Sequence, residues 1–250
     1  MKRSRILITG ASSGLGMGLA REFAARGATL ALCARRTDRL EALAAELRSA
    51  HPAAEVFVRA LDVNDHAAVT EVFDGFAAEL GGLDRVIVNA GIGRGKALGA
   101  GGFEENLATL ETNLVAGLAQ IEAAMAIFRA QGEGHLVVMS SVSAFRGQRR
   151  AMTSYAASKA GLAMLAEGLR AELSGRSRIV VSTIYPGYIR TELNEQIANA
   201  PFMVDAETGC RALAKAIEKE PATAVVPAWP WAPIGLAMRT LPLSLVRRLN

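Results

Sequence analysis

Ile6-Leu7-Ile8-Thr9-Gly10-Ala11-Ser12-Ser13-Gly14-Leu15-Gly16 is the stretch whose reading decides the fold. A compact apolar run ends in a glycine-rich turn, after which Leu19, Ala20, Phe23 and Ala24 recur at helical spacing. Strand, glycine turn and helix in this order make a phosphate cradle. Glycines let the backbone turn tightly and approach an anion, and the N–H groups that open the helix, Leu15 to Gly18, face negative charge. The spacing Gly10, Gly14, Gly16 is not GxGxxG, so the generic dinucleotide fingerprint is not matched. On this stretch alone a plain strand-to-helix turn stays open.

Downstream the same grammar repeats. Gly27 closes the first helix and Ala28 to Ala34 reads as a second buried strand, ending in Arg35-Arg36. Where an acid in this place would hold a ribose 2′-hydroxyl, an arginine suits a 2′-phosphate, so Arg35 and Arg36 favour NADP(H), with NAD(H) the less favoured cofactor. Thr37 is the expected N-cap of a helix to about Ser49, and Pro52 precedes a strand at Glu55 to Ala60. Asp62 and Val63 then sit where adenine would lie, Asp62 as acceptor for an amino group. A helix over His66 to Leu80 leads to a strand, Arg85 to Val88, and to Asn89-Ala90-Gly91, whose small residues admit a cofactor while Asn89 ties loops together. Gly91 to Gly102, rich in glycine, reads as a mobile connection. Phe103 to Arg129 reads as one long helical stretch with Asn113 inside it, an unfavoured place for an asparagine and so a functional candidate. His135 to Met139 and Arg178 to Ile184 are two more strands, with a short one at Ala224 to Val226 and helices over Ser154 to Leu173 and Asp205 to Glu218. With no repeats and no linker, the expectation is an α/β fold: one doubly wound parallel sheet, Rossmann-type, with helices on both faces and a single domain over residues 1–250.

The chemistry lies in Ser154-Tyr155-Ala156-Ala157-Ser158-Lys159. Residues four apart share a helix face, so Tyr155 and Lys159 are able to point into one pocket. A nearby fixed cation favours phenolate, which lowers a phenol pKa that is otherwise about 10 and suits the pair to proton transfer at a carbonyl or alcohol. An amphipathic helix with Tyr155 in the core and Lys159 in water is the bland alternative.

Composition narrows the class. The chain has 250 residues, 51% of them hydrophobic and 21% charged, with a net charge of +4. No Lys/Arg block resembles a nucleic-acid arm, so nucleic acid is excluded and small anions are the expected partners. Cys33 and Cys210 are the two cysteines and form no CxxC, which fits a reducing, cytoplasmic setting without a disulfide framework or a metal site. His51, His66 and His135 read as ordinary surface or loop residues. Three basic residues within Met1 to Arg5 are followed by too short an apolar run for a signal segment.

Near the end, Pro186 and Gly187 are expected to stop a strand and turn the chain back, and residues 188–204 to form a lid over a binding crevice. The tail, 228–250, carries Trp229, Trp231, several prolines and apolar residues beside arginines. Prolines interrupt it too often for a spanning helix. Peripheral membrane contact is one reading; packing on a neighbouring subunit or over the substrate site is the favoured one.

Taken together, TGASSGLG at Thr9 to Gly16, LDV at Leu61 to Val63, NAG at Asn89 to Gly91, Asn113, SSVS at Ser140 to Ser143, YAASK at Tyr155 to Lys159 and PGYIRT at Pro186 to Thr191 resemble the short-chain dehydrogenase/reductase family over residues 4–227. The resemblance implies a hydride transfer between NADP(H) and a ketone or secondary alcohol of a fairly apolar small molecule, in a homodimer or homotetramer. It implies Tyr155 as general acid in reduction and base in oxidation, and Lys159 as the group that lowers the Tyr155 pKa and binds the nicotinamide ribose. It gives Ser141 the substrate oxygen and Asn113 a water that relays protons. Gly10, Ser12, Ser13, Gly14, Leu15, Gly16, Pro186, Gly187, Ile189 and Thr191 fall to the cofactor. Two departures stand out. Ser141 precedes Tyr155 by fourteen residues and Ser143 by twelve, where thirteen is usual; counting back from Gly147 keeps Ser141 in register, with an extra residue near Gln148-Arg149-Arg150. Ser13 stands where many NADP-preferring relatives carry a basic residue. Arg149 and Arg150 are assigned to an anionic end of the substrate or to a subunit neighbour. Two alternatives remain beside this reading: a catalytically idle NADP-binding sensor or scaffold, and a membrane-surface reductase of lipid or steroid ketones.

Overall fold

Ile6, Leu7 and Ile8 of β1 (Arg5–Thr9) are all fully buried, which requires protein on both faces of the strand. A computed structural model describes residues 3–173, 175, 177–194 and 202–246. In it β1 pairs in parallel with β2 (Thr29–Ala34) on one side and β4 (Arg85–Val88) on the other. With β3 (Val56–Ala60), β5 (Glu133–Met139), β6 (Arg178–Pro186) and β7 (Thr223–Val226) these make one seven-stranded parallel sheet in the order β3-β2-β1-β4-β5-β6-β7. The helices are α1 (Gly14–Ala24), α2 (Thr37–Ala50), α3 (His66–Leu80), α4 (Phe103–Leu110), α5 (Ala116–Gln131), α6 (Met152–Glu172), α7 (Ala206–Glu218), α8 (Ala228–Thr240) and the short α9 (Leu243–Val246). Alternation along each strand feeds two cores. Ile6 and Ile8 pack with Leu30 and Leu32 against Leu19, Phe23, Leu40 and Leu213. Leu7 packs with Val86 and Val88 against Val69, Phe73, Phe128 and Leu162 on the other face.

The strand order reverses between β1 and β4, so the turns that leave their carboxyl ends diverge and open a crevice there. Both the glycine turn after β1 and Asn89-Ala90-Gly91 after β4 lie at that point.

Several sequence expectations are adjusted. Thr37 is the first helical residue of α2, with Arg36 in the capping position and no side-chain cap. The expected helix over Phe103 to Arg129 is divided by a π turn at Glu111–Val115, centred on Asn113. β6 runs to Pro186, whose ladder partner is Val226; a proline is tolerated there because it ends the strand. The tail is helical despite its prolines: the backbone of α8 breaks at Trp229, Pro230 follows that break, and Pro233 lies inside the helix. Trp231, Met238 and Val246 are buried against Val142, Phe145, Ala163 and Tyr185, so the tail packs on its own chain. Among the described residues no helix is long and apolar enough to cross a membrane. The stretch 195–201 of the expected lid and residues 247–250 of the tail lie outside the described residues.

His135 is not a surface residue. It lies fully buried in β5 beside an almost equally buried Arg85 of β4. Arg85 Nε donates to His135 Nδ1 at 2.9 Å, so Nδ1 carries no proton and Nε2–H faces Ser182 Oγ at 2.8 Å, which in turn donates to the Pro221 carbonyl. Burial pushes the Arg85 guanidinium down to about 10, and Glu220, 3.9 Å away, works against that shift. This polar string ties β4, β5 and β6 together at the amino end of the sheet. His135→Leu leaves the buried Arg85 Nε without its partner and Ser182 Oγ with only the Pro221 carbonyl, and is expected to cost about 2–4 kcal/mol in urea unfolding. An unchanged midpoint would show that the string contributes nothing to stability.

Candidate active site

The cradle is shaped by contacts that allow no side chain. Gly10 and Gly14 have φ of 64° and 55°, and a Cβ on Gly10 would stand 2.8 Å from the Ala90 Cα. At Gly16 a Cβ would stand 2.5 Å from the Gly10 carbonyl and 2.7 Å from Asn89 Nδ2. Asn89 Nδ2 donates to the Thr9 carbonyl at 2.9 Å, and the Thr9 hydroxyl accepts from the amides of Asn89 and Ala90 at 3.0 and 3.1 Å. These bonds lock the two carboxyl ends side by side. Ser13 is the N-cap of α1 but makes no side-chain cap, and Met17 is the first amide bonded back, to Ser13. Gly14, Leu15 and Gly16 therefore open α1 with N–H groups that lack intrahelical partners, the arrangement an anionic pyrophosphate requires.

At the carboxyl end of β2, Arg36 folds back over this turn. It donates to Ser12 Oγ at 3.3 Å and Ser13 Oγ at 2.6 Å. A guanidinium thus stands beside Ser13, where no basic residue occurs in the sequence. Arg35 is largely exposed, 3.9 Å from the Asp62 carboxylate, which also accepts from the Asn64 amide. Val63 is buried beside it. A nucleotide with anionic phosphates fits this donor set: helix-opening N–H groups at Gly14 to Gly16, a guanidinium beside them, and the Asp62 carboxylate at the neighbouring strand end.

The proton-transfer groups lie across the crevice. Tyr155 and Lys159 are on α6, one turn apart, and Ser141, two residues beyond β5, caps a 3₁₀ turn at Val142–Phe145. The Ser141 hydroxyl lies beside the Tyr155 phenol. Ser141 Oγ accepts from the Ser143 amide at 3.1 Å. Between Ser141 and Tyr155, Arg150 turns left-handed at φ 55° just ahead of α6. Arg149 and Arg150 are both exposed in that turn. Lys159 is buried, and its Nζ donates to the Met139 carbonyl at 2.9 Å. Ser140 Oγ bonds the Lys159 carbonyl at 2.8 Å and pins α6 to β5.

The electrostatics differ from the expectation of a phenol lowered by its lysine. Burial, with the charge of nearby Tyr188, holds Tyr155 above its ordinary value, while the neighbouring Ser141 hydroxyl works in the opposite direction. Burial also pushes Lys159 down to about 8. Both shifts have one origin, since an enclosed pocket disfavours phenolate and ammonium alike.

Asn113 explains the π turn. Its Oδ1 accepts from the Ile92 amide at 2.8 Å, and its Nδ2 donates to the Ile92 carbonyl at 2.9 Å and Ser158 Oγ at 3.1 Å. The side chain clamps the Gly91–Ile92 turn against α6; a Cβ on Gly91 would meet Asn113 Oδ1 at 3.0 Å and Lys159 Nζ at 3.3 Å. The connection after Gly91 is irregular but tied down, because Asn106 bonds both backbone groups of Lys96 and Thr109 bonds the Arg94 carbonyl. Thr9, Asn106 and Ser158 were not singled out in the sequence, where each reads as a strand end or a helix polar residue.

The Pro186–Thr191 loop forms the third side. Gly187 donates to Val226, Ile189 bridges to Val204, and Thr191 lies against Gly14, 3.6 Å from where its Cβ would be. Tyr188 and Trp231 meet edge to face at 5.1 Å, and Phe202 meets Trp231 at 6.3 Å. A Cβ on Gly187 would overlap the Trp231 indole at 2.3 Å. Tyr188, Trp231 and Phe202 give this side an aromatic wall that only the folded tail completes.

Fold and site together define a nucleotide-binding α/β protein with a tyrosine–serine–lysine cluster at the strand ends. Residues 4–201 match the short chain dehydrogenase family, and the chain belongs to it. It is an oxidoreductase of that family, 54% identical over 246 residues to an uncharacterised oxidoreductase of Mycobacterium tuberculosis (strain ATCC 25618 / H37Rv), covering 98% of this chain and 97% of that protein. A short-chain dehydrogenase from Sphingobium yanoikuyae in complex with NADPH superposes with a TM-score of 0.82 at 28% identity, over 98% of this chain and 93% of that one. A short chain dehydrogenase/reductase from Burkholderia phymatum in complex with NAD gives 0.84 at 21% identity, over 100% and 96%, a likeness of fold.

Gly16→Ala forces the cradle open by its contact with Gly10 and Asn89. Nucleotide binding, followed by fluorescence titration, is expected to weaken at least about tenfold, as removal of well-placed charge-assisted bonds does. Unchanged affinity in a folded variant would contradict the cradle assignment.

Proposed function

We propose that this chain is an NADP(H)-dependent carbonyl reductase and alcohol dehydrogenase acting on fairly apolar ketones and secondary alcohols. The observation that carries this reading is the placement of Tyr155 beside Ser141 and one helical turn from Lys159 at the strand ends, where the glycine cradle also lies. When bound, NADP(H) supplies or receives the hydride. As a carbonyl carbon is reduced, negative charge grows on its oxygen, and fixed donors from Ser141 and Tyr155 stabilise it where it forms. Tyr155 passes its proton to that oxygen, and in the reverse direction takes it from the alcohol. Lys159, with a value near 8, is an ammonium at neutral pH and offsets the charge left on the phenolate. Asn113 holds the Gly91–Ile92 turn against these groups and acts as a positioning residue and as an anchor for the relay toward Lys159.

The preference for NADP(H) over NAD(H) rests on Arg35 and Arg36, since no acid stands at the end of β2 to take the ribose hydroxyls. The apolar substrate rests on the Tyr188, Trp231 and Phe202 wall. Trp229, Leu236, Leu243 and Leu245 of the tail face outward and supply an apolar surface for a second copy in a homodimer or homotetramer. The test is a panel of ketones and alcohols assayed with NADPH and NADH in parallel. Turnover of apolar ketones with NADPH ahead of NADH is expected. Tight NADPH binding without oxidation by any ketone would replace this reading with an idle nucleotide sensor.

A further inference from the structure

One carboxylate occupies the arginine cluster of the cradle. Glu192 leaves the Pro186–Thr191 loop in a short 3₁₀ turn, and its two oxygens are divided between two guanidinium groups. Oε1 accepts from Arg39 Nη1 at 2.6 Å and Oε2 from Arg36 Nη1 at 3.3 Å. The same Arg36 holds Ser12 and Ser13 through its other nitrogens. Glu192 is therefore joined, through Arg36, to the turn that opens α1. Asn194 fixes its loop from behind, accepting from the Thr191 amide at 2.8 Å and donating to the Ile189 carbonyl at 2.7 Å. Although partial burial opposes it, the bonds from Arg39 and Arg36 hold the Glu192 carboxyl below its ordinary value, so it is charged at neutral pH.

We infer that Glu192 is an internal counter-anion for the 2′-phosphate subsite, displaced from Arg36 and Arg39 when a 2′-phosphorylated dinucleotide binds, and that it thereby sets how strongly the enzyme discriminates NADP(H) from NAD(H). The inference rests on the reading of Arg36 as a phosphate ligand. The physical reason is charge balance. Arg36 and Arg39 carry two positive charges and Glu192 one negative charge. A dianionic phosphate that arrives beside Glu192 meets a like charge and guanidinium donors already engaged, so its attraction is realised only by breaking the two pairs. A nucleotide with a free 2′-hydroxyl brings no such charge and leaves the pairs in place. Arg39, one helical turn into α2 beyond Arg36, thus joins the subsite although nothing in its sequence position marks it.

Dissociation constants for NADPH and NADH are measured by fluorescence titration, at low and at high salt, for the wild type, Glu192→Gln and Arg36→Gln. Glu192→Gln is expected to tighten NADPH by roughly 3- to 10-fold, the scale of two exposed ion pairs, and to leave NADH within about twofold. The gain shrinks at high salt. NADPH binding that is unchanged or weaker in Glu192→Gln, or NADH tightened equally, would overturn the inference. Arg36→Gln separates the two readings. If it leaves NADPH affinity intact, the phosphate assignment fails. If it weakens NADPH while Glu192→Gln has no effect, the phosphate assignment stands and the role given to Glu192 falls.

Discussion

Position 10 accepts only a glycine, and the crevice depends on that. The backbone there is left-handed, and a Cβ would stand 2.8 Å from the Ala90 Cα, so β1 and β4 can leave the sheet this close only where one of them has no side chain. The Thr9 hydroxyl then bonds the two amides that follow β4, and Asn89 returns a bond to Thr9. Because the strand order reverses between these same two strands, the closest approach of backbone falls where the following elements part. The nucleotide end of the site is a consequence of topology and one missing methyl group.

The proton-transfer end is built by burial rather than by a surface charge pair. α6 is pinned to β5 through Ser140, and Lys159 reaches under the strand end to the Met139 carbonyl. Enclosure raises Tyr155 and lowers Lys159, so the pocket disfavours the charged form of both groups. Asn113 brings in a third element: a π turn sacrifices regular helix to let one amide hold the Ile92 backbone and Ser158 at once.

Local signals carried much of this. Apolar runs of four to six residues bounded by glycine marked the strands, and the order of strands and helices implied a parallel sheet before any contact was known. Tyr155, Lys159, Gly10, Gly16 and Arg36 could be named as candidates because their placement depends on spacing within one element or one turn. Asn113 gave a readable sign, an asparagine in a helix, though not the π turn that accommodates it. What stayed hidden depends on partners far along the chain. His135 looked like a loop residue because nothing near it in sequence shows that Arg85 and Ser182 will flank it on adjacent strands. Glu192 read as the polar start of a lid, since its arginines come from α2 and the end of β2. The direction of the Tyr155 shift was missed because desolvation is a property of the assembled pocket, which a helical spacing of four does not reveal.

The central claim is that Tyr155 moves the proton at the reacting oxygen while the cradle holds the nucleotide independently of it. The most direct measurement is NADPH oxidation by Tyr155→Phe with a ketone that the wild type reduces, made together with NADPH affinity. The account predicts a rate lower by about 10²- to 10⁴-fold, the usual contribution of a general acid, with nucleotide affinity kept within about twofold. A variant that turns over at the wild-type rate would contradict it.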